Sequence, residues 1–120
     1  MADTLSVSGI DATYYLTKNL DDATKFYSDL LGMQPTMHAP DFVTEFSFPG
    51  GETFGLYKSG EFSTSSGVMF AVDDVATFVA SAKGRGVKFA ENGDITDTPV
   101  CHMAFGSDPE GNGFIIHHRK

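Results

Sequence analysis

Cysteine occurs once in this chain, at Cys101, and tryptophan not at all. A single thiol forms no internal disulfide and no Cys-x-x-Cys redox or metal motif. With Val100 and Met103 close by, Cys101 reads as a small buried hydrophobe rather than a nucleophile. Basic residues are scarce: 8 Lys and Arg stand against 16 Asp and Glu, a formal charge of −8. No basic cluster overrides that sign, which repels phosphate backbones and anionic bilayers and argues against nucleic-acid and membrane partners. No segment approaches the roughly 20 apolar residues of a membrane span. The opening MADTLSVSGI has neither the basic start nor the apolar run of a secretion signal. A cytoplasmic location is the expectation.

What is present suffices for a packed interior: 41% of the 120 residues are hydrophobic and eleven are Phe. That length makes one domain, or two half-size modules sharing a core. GIDATYYLT, from Gly9 to Thr17, is rich in aromatic and β-branched residues and reads as a strand. The period then changes. Leu20, Ala23, Phe26, Tyr27, Leu30 and Leu31 form one helical stripe. Asn19 is placed to cap that helix, Asp21 and Asp22 to meet its dipole, and Gly32 to end it. TMHA, DFVTEFSF and TFGLYKS follow as three extended pieces joined by short turns, which implies antiparallel pairing.

The second half repeats the order. GVMFAV reads as a strand, and DDVATFVASAKGRG as a helix with stripe Val75, Phe78, Val79 and Ala82, capped by Asp73 or Asp74. VKFAE, VCHMAFG and GFIIHHR read as strands, the last entered through the turn DPEGN. The ends of the halves also match in letters: Gly51, Phe54 and Leu56 lie over Gly111, Phe114 and Ile116. A period of about 55 to 60 residues argues for internal duplication. The expected fold is α+β, with two β-α-β-β-β modules over residues 1–60 and 61–120 and helices on the outer face of a curled mixed sheet.

These paired modules, with KFYSDLLGM closing the first helix, FAVDDV opening the second and DPEGN before the last strand, resemble the vicinal oxygen chelate superfamily. That group includes glyoxalase I, extradiol dioxygenases and the fosfomycin- and bleomycin-resistance proteins. The resemblance implies a sheet curled into a cup that holds the ligand, and a homodimer. It also implies four metal-ligand positions, which fall here on Ala12, Gly55, Gly67 and Ile115, where relatives carry His, Gln or Glu. None of the four offers a donor atom to a divalent ion. No metal and no other cofactor is expected.

Strand alternation names the residues sharing a face with those positions. They are Tyr14 and Leu16, Thr53 and Tyr57, Met69, and His117. The resemblance adds Met103 and Phe105, alternation adds Cys101, and Phe46 is a candidate from the third strand. Tyr14, Phe46, Tyr57, Met69, Met103, Phe105 and His117 are therefore the candidate ligand contacts. His38, His102 and His118 are expected to lie at a loop, away from the cup or in solvent. No Ser-His-Asp or Cys-His arrangement can be argued, so catalytic residues stay unassigned. The favoured function is metal-free binding of a small aromatic or apolar molecule, with planar cations among those an acidic, aromatic cup suits. The rival is a lyase, isomerase or dioxygenase of the same superfamily, using a non-standard metal site or acid–base chemistry by His117 and a tyrosine.

Overall fold

A computed structural model describes residues 5–6, 10–61, 64 and 67–120. Gly9, where the first strand is expected to begin, lies outside the described residues. The first half runs β1 (Ala12–Thr17), α1 (Leu20–Leu31), β2 (Met37–Ala39), β3 (Val43–Ser47) and β4 (Thr53–Lys58). The second runs β5 (Val68–Ala71), α2 (Val75–Gly84), β6 (Lys88–Phe89), a 3-10 turn over Ala90–Gly93, β7 (Thr96–Asp97), β8 (Cys101–Ser107) and β9 (Gly113–Arg119). The first four strands make one sheet in the order β1-β4-β3-β2, and the others make a second in the order β5-β9-β8-β6, with β7 also on β8. In each sheet the first strand pairs parallel with the last, and the remaining pairs are antiparallel. The fold is α+β, two mixed sheets with two helices, as the sequence led us to expect.

The helix boundaries follow the capping chemistry. The Asn19 side chain accepts from the Asp22 N–H, and Gly32 closes α1 at φ 67°, a left-handed conformation that glycine adopts without penalty. Asp74, rather than Asp73, caps α2 by accepting from the Thr77 N–H. Two details differ from expectation. The strand expected over VKFAE stops at Phe89, because Glu91 and Asn92 both take positive φ and turn the chain out of the ladder. The described residues also form nine strands rather than eight, since the two-residue β7 folds back on Met103 and His102 of β8. Two residues carry no readable alternation.

Both halves bury one shared core. Tyr15, Tyr27, Phe54, Phe70, Phe114, Leu56 and Ile116 are all buried in it, with the α1 and α2 stripes above. The matched pairs of the two halves, Phe54 with Phe114 and Leu56 with Ile116, are equally inaccessible. The halves are also joined by polar groups centred on the turn before β9. The Asp108 carboxylate accepts from the backbone N–H groups of Glu110 (2.9 Å) and Asn112 (2.8 Å), from Asn112 Nδ2 (2.9 Å) and from the Tyr27 hydroxyl (2.9 Å). Burial and the neighbouring Asp108 charge push the Tyr27 phenol far up, so it stays a donor. The Tyr15 hydroxyl donates to the Gly113 carbonyl (2.7 Å) and accepts from the Val68 N–H (3.1 Å), bridging the first rung of the β5–β9 ladder. Thr17 and the Lys18 N–H both donate to the Glu110 carboxylate.

Removing the Tyr27 hydroxyl leaves a buried carboxylate oxygen short of a donor. Tyr27→Phe should therefore cost about 1–3 kcal/mol of unfolding free energy, read by urea denaturation. A loss no greater than a few tenths would show that the Tyr27–Asp108 hydrogen bond does not contribute to stability.

Candidate functional site

Each sheet has one face against the helices and one turned away from them. On the first sheet Tyr15, Phe54, Leu56 and Phe46 face the core. Alternation then turns Ala12, Tyr14 and Leu16 of β1, Thr53, Gly55 and Tyr57 of β4, and Val43, Glu45 and Ser47 of β3 to the open face. On the second sheet Phe70, Ala104, Phe114 and Ile116 are core residues. Met69, Ile115, His117, Met103, Phe105 and Cys101 alternate to the other side. Large apolar side chains are conspicuous on these open faces: Tyr14, Tyr57, Met69 and Phe105 are each 40–53% exposed.

Phe46 is the exception among the candidate contacts. It is fully buried and stacked on Phe54, on the helix side of the sheet. The strand that carries it puts Glu45 on the open face instead, and on a strand a slip of one residue inverts every side chain. Glu45 was missed by the sequence reasoning, although the register Glu45↔Gly55↔Tyr14 would have found it.

Gly55, one of the four positions expected from the sequence resemblance to carry a metal ligand, is covered. A Cβ built there would fall within the Tyr14 ring. With no side chain on β4 in the way, Tyr14 reaches across that strand and its hydroxyl donates to the Glu45 carboxylate on β3. This hydrogen bond is the main cause that raises the Tyr14 phenol above its ordinary value, with burial and the Glu45 charge acting in the same direction. Tyr57 stands edge-on to Tyr14 (centroids 6.4 Å apart, 78° between planes) and Phe42 edge-on to Tyr57 (5.0 Å, 74°). The first sheet thus carries a continuous aromatic surface ending in a carboxylate.

The second sheet groups Met69 opposite Ile115, and His117 opposite both Ala71 and Met103, with Phe105 opposite Ile115. His117 is half-buried. His118 turns the other way and its Nδ1 lies 2.9 Å from the Val72 carbonyl. His102 lies 3.3 Å from Asp97, and His38 hydrogen-bonds Thr44. Cys101 is buried, with its sulfur 3.1 Å from the Thr98 hydroxyl. Among the described residues no hydrogen bond or ring contact links the Tyr14–Tyr57 group to the His117 group. The structure forms two partial surfaces rather than one assembled site. A cavity of about 570 Å³ lies between the β3–β4 turn and β5, with Thr53 and Met69 in its wall. The larger hollow of about 1290 Å³ along α1 is lined by solvated groups such as Asp21, Asp22 and Lys25 and by none of the candidate contacts.

A sequence profile of the Glyoxalase/Bleomycin resistance protein/Dioxygenase superfamily matches residues 9–116. Among curated protein sequences there is no significant match. Solved structures share the fold. A lactoylglutathione lyase from Agrobacterium tumefaciens superposes with a TM-score of 0.78 at 18% identity, over 93% of this chain and 94% of that one. Oxidase ChaP-H2 gives 0.76 at 18%, over 96% of both chains. A glyoxalase / bleomycin resistance protein from Catenulispora acidiphila gives 0.72 at 16%, over 92% of this chain and 98% of that one. The residues at the four positions that the resemblance assigns to metal ligands do not fit a divalent ion. Ala12, Gly55, Gly67 and Ile115 carry no donor side chains, the Tyr14 ring covers Gly55, and no group of three or more His, Cys, Asp or Glu able to hold a metal exists among the described residues.

A hydrogen bond to a carboxylate favours the neutral phenol, so removing the carboxylate must lower the phenol's pKa. Glu45→Ala, which removes the acceptor together with its charge, should bring the Tyr14 titration back toward about 10, followed by NMR of the ring carbon next to the hydroxyl. A Tyr14 titration indifferent to that substitution would contradict the pair.

Proposed function

Because the chain belongs to the Glyoxalase/Bleomycin resistance protein/Dioxygenase superfamily, we propose that it keeps the superfamily's ligand-binding sheet faces but works without their metal, binding a small aromatic or apolar molecule there. The carrying observation is the Tyr14 ring lying over Gly55, which fills a ligand position with an aromatic surface. Exposed Tyr14, Tyr57, Met69 and Phe105 then form apolar patches with few polar groups, the composition of small-molecule sites. The His117 imidazole is the polar group that orients the ligand on the second sheet. The pairing of the two halves over residues 1–60 and 61–120 is part of the same reading, each contributing one open face.

A homodimer completes the proposal. The chain is elongated, 52 × 39 × 26 Å with a radius of gyration of 15.6 Å, where a compact domain of this length measures about 13.6 Å. Two open faces in one elongated chain are covered most simply by a second copy placed over them. Light scattering should return about twice the 12.9 kDa of one chain; a monomer at micromolar concentration would remove this part.

A thermal-shift screen against aromatic antibiotics and metabolites tests binding. With a ligand in hand, His117→Ala should weaken it by about 1–2 kcal/mol, one hydrogen bond, while His118→Ala, bonded to Val72 on the other side, should change little. Equal effects of the two substitutions would exclude His117 as the orienting group.

A further inference from the structure

Glu45 is a carboxylate set among aromatic and aliphatic side chains, and no ion pair among the described residues includes it. Across the sheet it is flanked by Met37 on β2 and by Gly55, under the Tyr14 ring, on β4. Along its own strand Val43 and Ser47 share its face. The ion pairs among the described residues are Lys58–Asp41, Arg85–Asp29, His102–Asp97 and Lys120–Asp97, and none includes Glu45. Its Oε2 accepts from the Tyr14 hydroxyl, and among the described residues its Oε1 accepts no hydrogen bond. An uncompensated carboxylate on an apolar surface projects a field that water screens less than it would at an open polar surface.

Tyr14 and Tyr57 add to that field. Ring faces are negative, and a cation within about 6 Å of a centroid is attracted to them. The two rings meet at 78° and remain 41% and 40% exposed, so together they offer a corner beside the carboxylate, which Phe42 extends from the far side of Tyr57. The geometry points to a cation subsite on the first sheet, in which Glu45, Tyr14 and Tyr57 hold the positively charged nitrogen of a planar aromatic ligand. The net charge of −8 draws the same class of ligand toward the protein. This rests on the reading of the open faces as a ligand site and adds to it the charge of the ligand and the residue that selects it.

The competing role for Glu45 is to anchor Tyr14 and nothing more. Glu45→Gln separates the two, because the amide oxygen still accepts from the Tyr14 hydroxyl while the charge is gone. The probes are N-methylquinolinium and its neutral carbon analogue methylnaphthalene, titrated into the full chain by protein-observed NMR. N-methylquinolinium should shift the Tyr14, Glu45 and Tyr57 resonances, and Glu45→Gln should weaken it about tenfold while leaving methylnaphthalene unaffected. Glu61→Gln, which removes an equal charge from an exposed loop, should alter neither. If Glu45→Gln weakens both probes alike, or neither, the cation subsite is wrong while the apolar site stands. If neither probe binds at millimolar concentration, the ligand reading falls and the subsite with it.

Discussion

The Asp108 carboxylate holds the two halves of this protein in register. Four donors converge on it: two backbone N–H groups of its own turn, the Asn112 amide and the Tyr27 hydroxyl from α1. A carboxylate buried this deeply is tolerated only when its lone pairs are occupied, and one missing donor leaves a costly vacancy. The turn it organises starts β9, an interior strand of the second sheet paired with both β5 and β8. Through Tyr27 the same carboxylate fixes α1 over the core that Phe54 and Phe114 share. Tyr15, bridging Gly113 and Val68, ties β1 to the place where β5 and β9 begin to pair. The open faces of both sheets therefore stand on a framework whose polar joints are all on the opposite side.

That separation lets one face change without disturbing the other. Gly55 lies between Phe54 and Leu56, both pinned in the core. The loss of a side chain at Gly55 opens a groove across β4 and leaves the packing beneath intact. Tyr14 lies in that groove and reaches Glu45 two strands away. Aromatic surface and a carboxylate occupy the place where the resemblance implies a metal ligand. On the second sheet, Ile115 stands at the position equivalent to Gly55, with Met69 opposite and His117 one step along. The two faces are built on corresponding strands of the two sheets yet differ in chemistry, one aromatic and acidic, the other sulfur-rich with an imidazole.

Much of this was legible in the letters. Both helices, their caps at Asn19 and at one of Asp73 and Asp74, and the matching of Phe54 and Leu56 with Phe114 and Ile116 rest on local periodicity and capping chemistry, which a single chain displays openly. Placing His117 and His118 on opposite sides follows from the same alternation. Phe46 was misplaced because DFVTEFSF carries Phe42, Phe46 and Phe48 on one parity and Val43 on the other, and only pairing with β4 decides which parity faces the core. The Tyr14–Glu45 pair was invisible for a different reason. It joins residues 31 apart through the absence of a side chain on a third strand, and no local pattern marks such a gap. The shortened β6 depends on left-handed backbone at Glu91 and Asn92, residue types that enter that region less readily than glycine.

The central claim is that the open faces bind their ligand with aromatic and polar side chains instead of a metal. Calorimetric titration of the purified chain with Zn²⁺, Ni²⁺ and Mn²⁺, followed by elemental analysis after dialysis, tests it most directly. The account predicts no saturable site and no stoichiometric metal retained, with Tyr14 and Glu45 resonances unmoved. Retention of about one ion per chain, abolished by His117→Ala or by Glu45→Gln, would contradict it.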